Sequence, residues 1–510
     1  MRTGSSPLSE EKSTFLQSGR FPKEESGSFA FFDFIALLVD IFPLARYTVQ
    51  ETTLPRSQRR PRRKGTIHMH PITDKHLDRF SASYACDPQR RLATLALSQS
   101  ELNSVAFSPK GAFAMRQKFS IDIPTMEVTN QKSSGRCWLF AAANVLRERI
   151  AKARNLEKFE LSQSYLAFWD KFERANYFLE SILETAHLPT DDRTVAHILA
   201  TGVHDGGQWD MFVDIVRKYG IVPKDVYGET AQTGNTRQMN AQLNRALKVC
   251  AVKLRGMAAS GRPANDIQAV KLQAMEQVYG FLCSCYSEPP KVFDFECVDK
   301  DGVYHAERDL TPLAFAERYV GDLLEQMVSI INAPTRDKPY HRTFTIRLLG
   351  NVADGAPVKH LNLPMDEFKA AIIAQLSDGK PVWFGSDVGH FGERTLGIWD
   401  DGSFDFDLLT GLDLSMSKED ALNYGLSAMN HAMVITGVNI EDGRPTRWKI
   451  ENSWGDKNGE KGYYVCSDSW FDQYVYQAAV EKAYLGELAA LAAQEPIVLE
   501  PWDPMGTLAR

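Results

Sequence analysis

This chain can do chemistry only if its fold brings together three short polar segments that lie far apart in sequence. The first is Asn130-Gln131-Lys132-Ser133-Ser134-Gly135-Arg136-Cys137-Trp138. The apolar, Ala-rich run that follows it, Trp138 to Val145, predicts a helix opened by Cys137. The positive end of a helix dipole favours thiolate over thiol at that position. Gln131 lies six residues upstream and offers a carboxamide N–H to an oxyanion. Taken alone, the segment fits a buried, inert cysteine equally well.

The other two segments decide between these readings. Asn430-His431-Ala432-Met433-Val434-Ile435-Thr436-Gly437-Val438 puts a histidine at the start of a β-branched, strand-like run. Trp448-Lys449-Ile450-Glu451-Asn452-Ser453-Trp454-Gly455 ends a second short strand at Asn452. Between them, Glu441-Asp442-Gly443-Arg444-Pro445 reads as a turn. Two antiparallel strands joined there would set His431 beside Asn452. Cys137 then attacks an acyl carbon, and His431 pairs with the thiolate and protonates the leaving amine. Asn452 accepts the second imidazole N–H, and Trp454 shields that bond from water.

In this order, Gln131…Cys137-Trp138, His431-Ala432 and Asn452-Ser453-Trp454-Gly455 resemble the papain-like cysteine peptidases. The similarity is greatest to their bleomycin hydrolase and aminopeptidase C branch. Leu161-Ser162-Gln163-Ser164-Tyr165-Leu166, Asp205-Gly206-Gly207-Gln208-Trp209-Asp210 and Pro381-Val382-Trp383-Phe384-Gly385-Ser386-Asp387-Val388-Gly389 carry it too. So does the terminal Trp502-Asp503-Pro504-Met505-Gly506-Thr507-Leu508-Ala509-Arg510. The resemblance covers residues 75 to 510. It departs from the secreted papain-like enzymes in two ways. Their second cysteine, three residues before the nucleophile, is Ser134 here, so that disulfide cannot form. Their histidine follows the nucleophile by about 130–150 residues, whereas His431 stands 294 residues after Cys137. A large insertion must separate the halves of the site, and the resembled branch carries one.

Composition narrows the classes. A length of 510 residues is enough for about three domains and a core without staples. A net charge of −7 argues against bulk nucleic-acid binding. Seven scattered cysteines, an odd number, suggest free thiols in a reducing compartment, hence the cytoplasm. Cys283-Ser284-Cys285 has no second Cys or His pair at zinc spacing, so no metal is expected, nor any other cofactor. The apolar run from Phe29 to Ala45 is broken by Asp33, Asp40 and Pro43 and is too short to span a membrane. Glu10, Glu11, Glu24 and Glu25 upstream of it do not suit a signal peptide.

Along the chain, residues 1–68 read as a disordered leader, or as sequence ahead of a true start at Met69. Their Arg59-Arg60-Pro61-Arg62-Arg63-Lys64 cluster is the sole hint of a nucleic-acid-binding arm. Residues 69–230 form an N-terminal arm and a helical lobe carrying the nucleophile, with helices expected from Ser162 and over Trp209 to Tyr219. Residues 231–345 are mostly helical by pattern, as in Thr236 to Gly256 and Val270 to Cys285. Residues 346–490 turn strand-rich: Phe344 to Leu349 at the boundary, then Pro381 to Ser386, His431 to Ile440, Trp448 to Glu451 and Gly462 to Cys466. Three prolines stiffen the tail, residues 491–510.

The expected fold is α+β, a papain-like two-lobed arrangement of a helical lobe and a β-barrel-like lobe, with a large helical insertion and a C-terminal arm. The resemblance implies that Gly206 and Gly207 pair with the substrate main chain. It also implies that the arm, ending in Ala509 and Arg510, enters the cleft and anchors the substrate's α-amine. The function it implies is a cytoplasmic cysteine aminopeptidase acting through a thioester, with Cys137, His431, Asn452 and Gln131 as its machinery. Its partners would be peptides with a free N-terminus and, in a homohexamer, copies of itself. An endopeptidase of the same fold and a non-catalytic peptide-binding scaffold are the alternatives.

Overall fold

The computed structural model describes residues 69–509, so the leader and Arg510 lie outside the described residues. The chain divides into two units, 1–77 and 78–510; the features below belong to the second.

The helical part is built on Cys137–Arg154, Gln163–Glu184 and Trp209–Tyr219. Ser162 caps the second of these by accepting the Tyr165 N–H at 3.0 Å. The third ends at Gly220, whose positive φ of 74° closes the helix. Arg237–Ala259 and Ala264–Tyr286 form a helical pair packed on Gln163–Glu184.

The helical pattern expected over 231–345 holds through Tyr286 and returns at Pro312–Tyr319 and Leu323–Gln326, with strands between and after these helices. A short hairpin, Phe293–Val298 with Tyr304–Leu310, lies between, and Met327–Ile331 and Arg342–Ile346 in the main sheet come after. Met-Val-Ser-Ile-Ile is too short for a helix. Its β-branched residues suit a strand buried on both faces.

In chain order the strands are β1 (Ile121–Asp122), β2 (Phe293–Val298), β3 (Tyr304–Leu310), β4 (Met327–Ile331), β5 (Arg342–Ile346), β6 (His360–Asn362) and β7 (Val382–Ser386). They continue as β8 (Gly392–Glu393), β9 (Ile398–Trp399), β10 (His431–Glu441), β11 (Arg444–Glu451), β12 (Tyr463–Ser467), β13 (Val475–Glu481) and β14 (Ile497–Leu499). One mixed sheet runs β14-β5-β6-β4-β13-β7-β10-β11-β12-β9-β8, with β1 beside β10.

Both faces of this sheet are covered, and the two-residue period of its strands divides them. Trp383, Ala432, Val434 and Ala479 pack toward the Cys137 helix. Val382, Phe384, Met433, Ile435 and Ala478 face the opposite core, which includes the helix Met365–Ser377. The β10–β11 hairpin turns at Asp442 and Gly443, both with positive φ (50° and 77°), the geometry of a tight hairpin turn. Beside the turn, Glu441 faces Arg444; near the far end, Val434 faces Glu451. Two opposed irregularities between these points cancel. The register at His431 and Asn452 is therefore the one set at the turn.

A buried polar cluster fastens the helix to this hairpin. Glu451 accepts from Arg147 and Asn144, both at 2.8 Å, and Arg147 also donates to the carbonyls of Met126 and Glu127. Arg147 and Glu451 are almost wholly buried. Removing one partner strands the other's charge in the core. Glu451→Ala should therefore cost about 3–5 kcal/mol in urea unfolding, while the paired change Arg147→Met/Glu451→Leu should cost less.

Candidate active site

Cys137 is the first residue of its helix and is fully buried. Backbone N–H groups of Ala432, Trp138 and Cys137 itself reach its sulfur. The thiol thus lies against the residue that follows His431. His431 opens β10, and its Nε2 donates to Asn452 Oδ1 at 3.0 Å, which leaves Nδ1 as the nitrogen for the thiol. Asn452 Oδ1 also accepts the Ser453 N–H at 2.8 Å. The Trp454 ring stacks on the imidazole, with centroids 4.8 Å apart, and covers the His431–Asn452 bond.

Burial opposes the ionisation that a helix N-terminus alone would favour. It pushes the Cys137 thiol up to about 12, against the lowering effect of the surrounding N–H groups. It pushes the His431 imidazole down to about 4, against the hydrogen bond to Asn452. Neither group carries a charge cheaply by itself. Proton transfer from thiol to imidazole creates both charges side by side, so the ionisation belongs to the pair.

Gln131 is tied to Asn452 through Ser453, with its carboxamide held at both ends. Its Oε1 accepts from Ser453 Oγ at 2.6 Å, and its Nε2 donates to the Ser134 carbonyl at 2.6 Å. An amide NH₂ carries two donors, so one remains for an oxyanion. The turn itself is fixed by Arg136, whose guanidinium makes a bidentate contact with Glu229 at 3.1 and 2.7 Å and reaches Ser134 Oγ at 3.0 Å.

The expected substrate-binding residues divide. Gly206 has both backbone groups engaged: its N–H donates to His204 Nδ1 and its carbonyl accepts from Arg174. Gly207 donates its N–H to the Ala509 carbonyl at 3.1 Å, forming a bridge between the strap, the Gly206–Gly207 segment, and the C-terminal arm. A Cβ on Gly207 would come within 2.4 Å of the Trp138 ring, so only glycine fits this approach. Ala509 is fully buried; Arg510 is outside the described residues.

The arm reaches the cleft through several anchors. Its β14 pairs in parallel with β5, the Arg193 guanidinium lies 3.7 Å from the Trp502 ring centroid, and Asp503 pairs with the buried Lys338 at 2.9 Å. Gln208 Nε2 donates to the carbonyls of Met505 and Thr507. A cavity of about 560 Å³ lies beside the arm, lined in part by Tyr177, Ile198, Met211, Leu349, Met429 and Leu508.

The motifs contain Ser453, Gln208 and Arg136 without giving them a role, and they leave out Arg174 and Glu229. Ser453 and Gln208 adjoin recognised motif residues, so their polarity was a signal; nothing local marks Glu229 as the partner of Arg136. Among the described residues, no group of three or more His, Cys, Asp or Glu could hold a metal, and no helix is long and apolar enough to cross a membrane.

The fold and the Cys–His–Asn geometry define a papain-like thiol hydrolase. The Peptidase C1-like family matches residues 71–506, and the chain belongs to that family, in its bleomycin hydrolase and aminopeptidase C branch. It is 46% identical over 437 residues to aminopeptidase C of Lactobacillus delbrueckii subsp. lactis, covering 85% of this chain and 97% of that one. Aminopeptidase C of Listeria monocytogenes is 43% identical over 439 residues, covering 86% and 99%. The crystal structure of PepW from Lactobacillus rhamnosis HN001 superposes with a TM-score of 0.84 at 47% identity, covering 86% of this chain and 99% of that one.

Two outcomes follow from the site. Asn452→Ala frees the imidazole ring, and kcat on a peptide reporter should fall about a hundredfold with the fold retained by circular dichroism. Burial alone would raise the Glu229 carboxyl; the hydrogen bonds and charge of Arg136, with the Thr233 and Ser164 hydroxyls, outweigh it and hold the group at about 2. Its stabilising share is therefore complete above the ordinary value of 4.5 and is lost as pH falls toward 2. Melting curves of wild type and Glu229→Gln should differ by a constant amount at neutral pH and converge across that acid window.

Proposed function

We propose that this cysteine peptidase is an aminopeptidase that removes N-terminal residues from peptides through a thioester on Cys137. The observation that carries the reading is the Gly207–Ala509 bridge. Ala509 of the C-terminal arm meets Gly207, which packs on the ring of Trp138 next to Cys137, and takes the hydrogen bond that a longer substrate would need. A substrate can then extend past the site in one direction only. Similarity to proteins named aminopeptidase C supports the same reading.

In this mechanism His431 takes the thiol proton as Cys137 attacks the carbonyl, and gives it to the leaving amine. The Gln131 carboxamide and the Cys137 N–H hold the oxyanion. Water activated by His431 then hydrolyses the thioester. The scattered free cysteines support a cytoplasmic setting. Exposed Val249, Val252 and Leu272 on the helical pair 237–286 support self-assembly; the hexameric count rests on the resemblance.

The test compares a peptide with its N-acetylated form. The free peptide should be cleaved at least about a hundredfold faster, and Cys137→Ala should remove turnover of both while the protein still assembles. Equal rates on the two peptides would establish an endopeptidase instead. Full activity of Cys137→Ala would remove Cys137 as nucleophile.

A further inference from the structure

One buried carboxylate gathers more of the site than any residue discussed so far. Asp205 accepts the Gly135 N–H at 2.9 Å, Asn240 Nδ2 at 2.8 Å, and the Lys171 ammonium and Thr236 hydroxyl. Its own carbonyl accepts the Trp138 indole N–H at 2.6 Å. It directly precedes Gly206 and Gly207. A single residue therefore joins the turn before the thiol, the first turn of the thiol's helix and the strap that meets the arm. Helices on either side, through Lys171 and Asn240, hold it in place.

The link continues to the oxyanion donor. Gly135 follows Ser134, whose carbonyl accepts Gln131 Nε2 and whose hydroxyl donates to the Gln131 carbonyl. Any shift of Gly135 is thus passed through Ser134 to the Gln131 carboxamide. Ser134 is also where the secreted papain-like enzymes carry a disulfide cysteine. The turn here has no covalent tether, and the Asp205 contact falls on the very next residue.

We propose that Asp205 is a positioning residue for acyl transfer: it clamps residues 133–136 against the Gly206–Gly207 strap, and so aims the Gln131 carboxamide at the oxyanion, in place of the missing disulfide. The proposal rests on the reading of Cys137 as nucleophile and Gln131 as oxyanion donor. Burial alone would raise the Asp205 carboxyl, but the Lys171 charge and the hydrogen bonds from Asn240, Lys171 and Thr236 hold it well below the usual carboxylate range. The clamp therefore stays ionised through the range in which a peptidase works. The price of this arrangement is a negative charge near Cys137, which raises the thiol, and that carboxylate is paired with Lys171.

The experiment separates aim from general integrity. Alkylation of Cys137 by iodoacetamide needs a reachable thiolate and no oxyanion hole; amide hydrolysis needs both. Asp205→Leu/Lys171→Met removes the clamp and leaves the local net charge unchanged. It is expected to lower kcat about thirtyfold or more, with KM and the alkylation rate within about threefold of wild type. Thr236→Val, which removes one hydrogen bond and no charge, should give the same split with kcat down about three- to tenfold, and it decides the matter if the double variant does not fold. Asp205→Asn/Lys171→Met restores one acceptor and should recover part of the loss. An unchanged kcat in the folded double variant, or in Thr236→Val when only that folds, overturns the proposal. So does a fall in alkylation that keeps step with the fall in kcat. Failure of iodoacetamide to inactivate the wild-type enzyme would instead refute the nucleophile, whatever these ratios are.

Discussion

The docking of the Cys137 helix against the sheet is the contact on which this molecule depends. The thiol and the imidazole come from different lobes, and no local preference brings them together. What holds them is a dry boundary in which Trp383, Ala432 and Val434 meet the Ala-rich face of the helix. Two polar links pin that boundary: Glu451 with Arg147 and Asn144, and the Trp383 indole N–H on the Trp138 carbonyl at 3.2 Å. Buried polar groups of this kind penalise any displaced packing, because each displacement leaves a donor or a charge unmet. The helix is thus locked in place as well as attracted.

The same physics governs the electrostatics of the site. Its interior excludes water, so every charge must have a partner. Arg136 has Glu229, Lys171 has Asp205, and Lys338 has Asp503. Burial opposes a lone charge on Cys137 or on His431 for the same reason, and a proton passed from one to the other creates both charges together. Burial of Cys137 opposes the ionisation that its place at a helix N-terminus favours.

The C-terminal arm shows how a segment without a core of its own becomes part of a site. Its prolines limit the freedom lost on ordering. Pairing of β14 with β5, the Arg193–Trp502 contact and the Lys338–Asp503 pair then carry it to the strap. By the time Ala509 meets Gly207, the arm has been anchored at several points behind it.

Much of this was legible in the residues. The hairpin that joins His431 to Asn452 follows from two strand-like runs and an Asp-Gly turn, since the turn sets the register locally. The Cys137 helix, the Ser162 cap and the Gly220 stop are local as well. Strand β4, inside a region that reads as helical, was not legible, because short apolar runs take their conformation from what covers them, whereas β5 overlaps the strand expected over Phe344 to Leu349. Nor were the roles of Ser453, Glu229 and Asp205, whose partners stand far away in the chain. The sequence by itself determined which chemical groups are present and the short-range geometry around each. Only the tertiary structure decided which of them share an interior, and therefore which charges are paired and where the C-terminal arm comes to rest. Those outcomes depend on desolvation and packing between distant segments, and neither is a property of any one stretch of sequence.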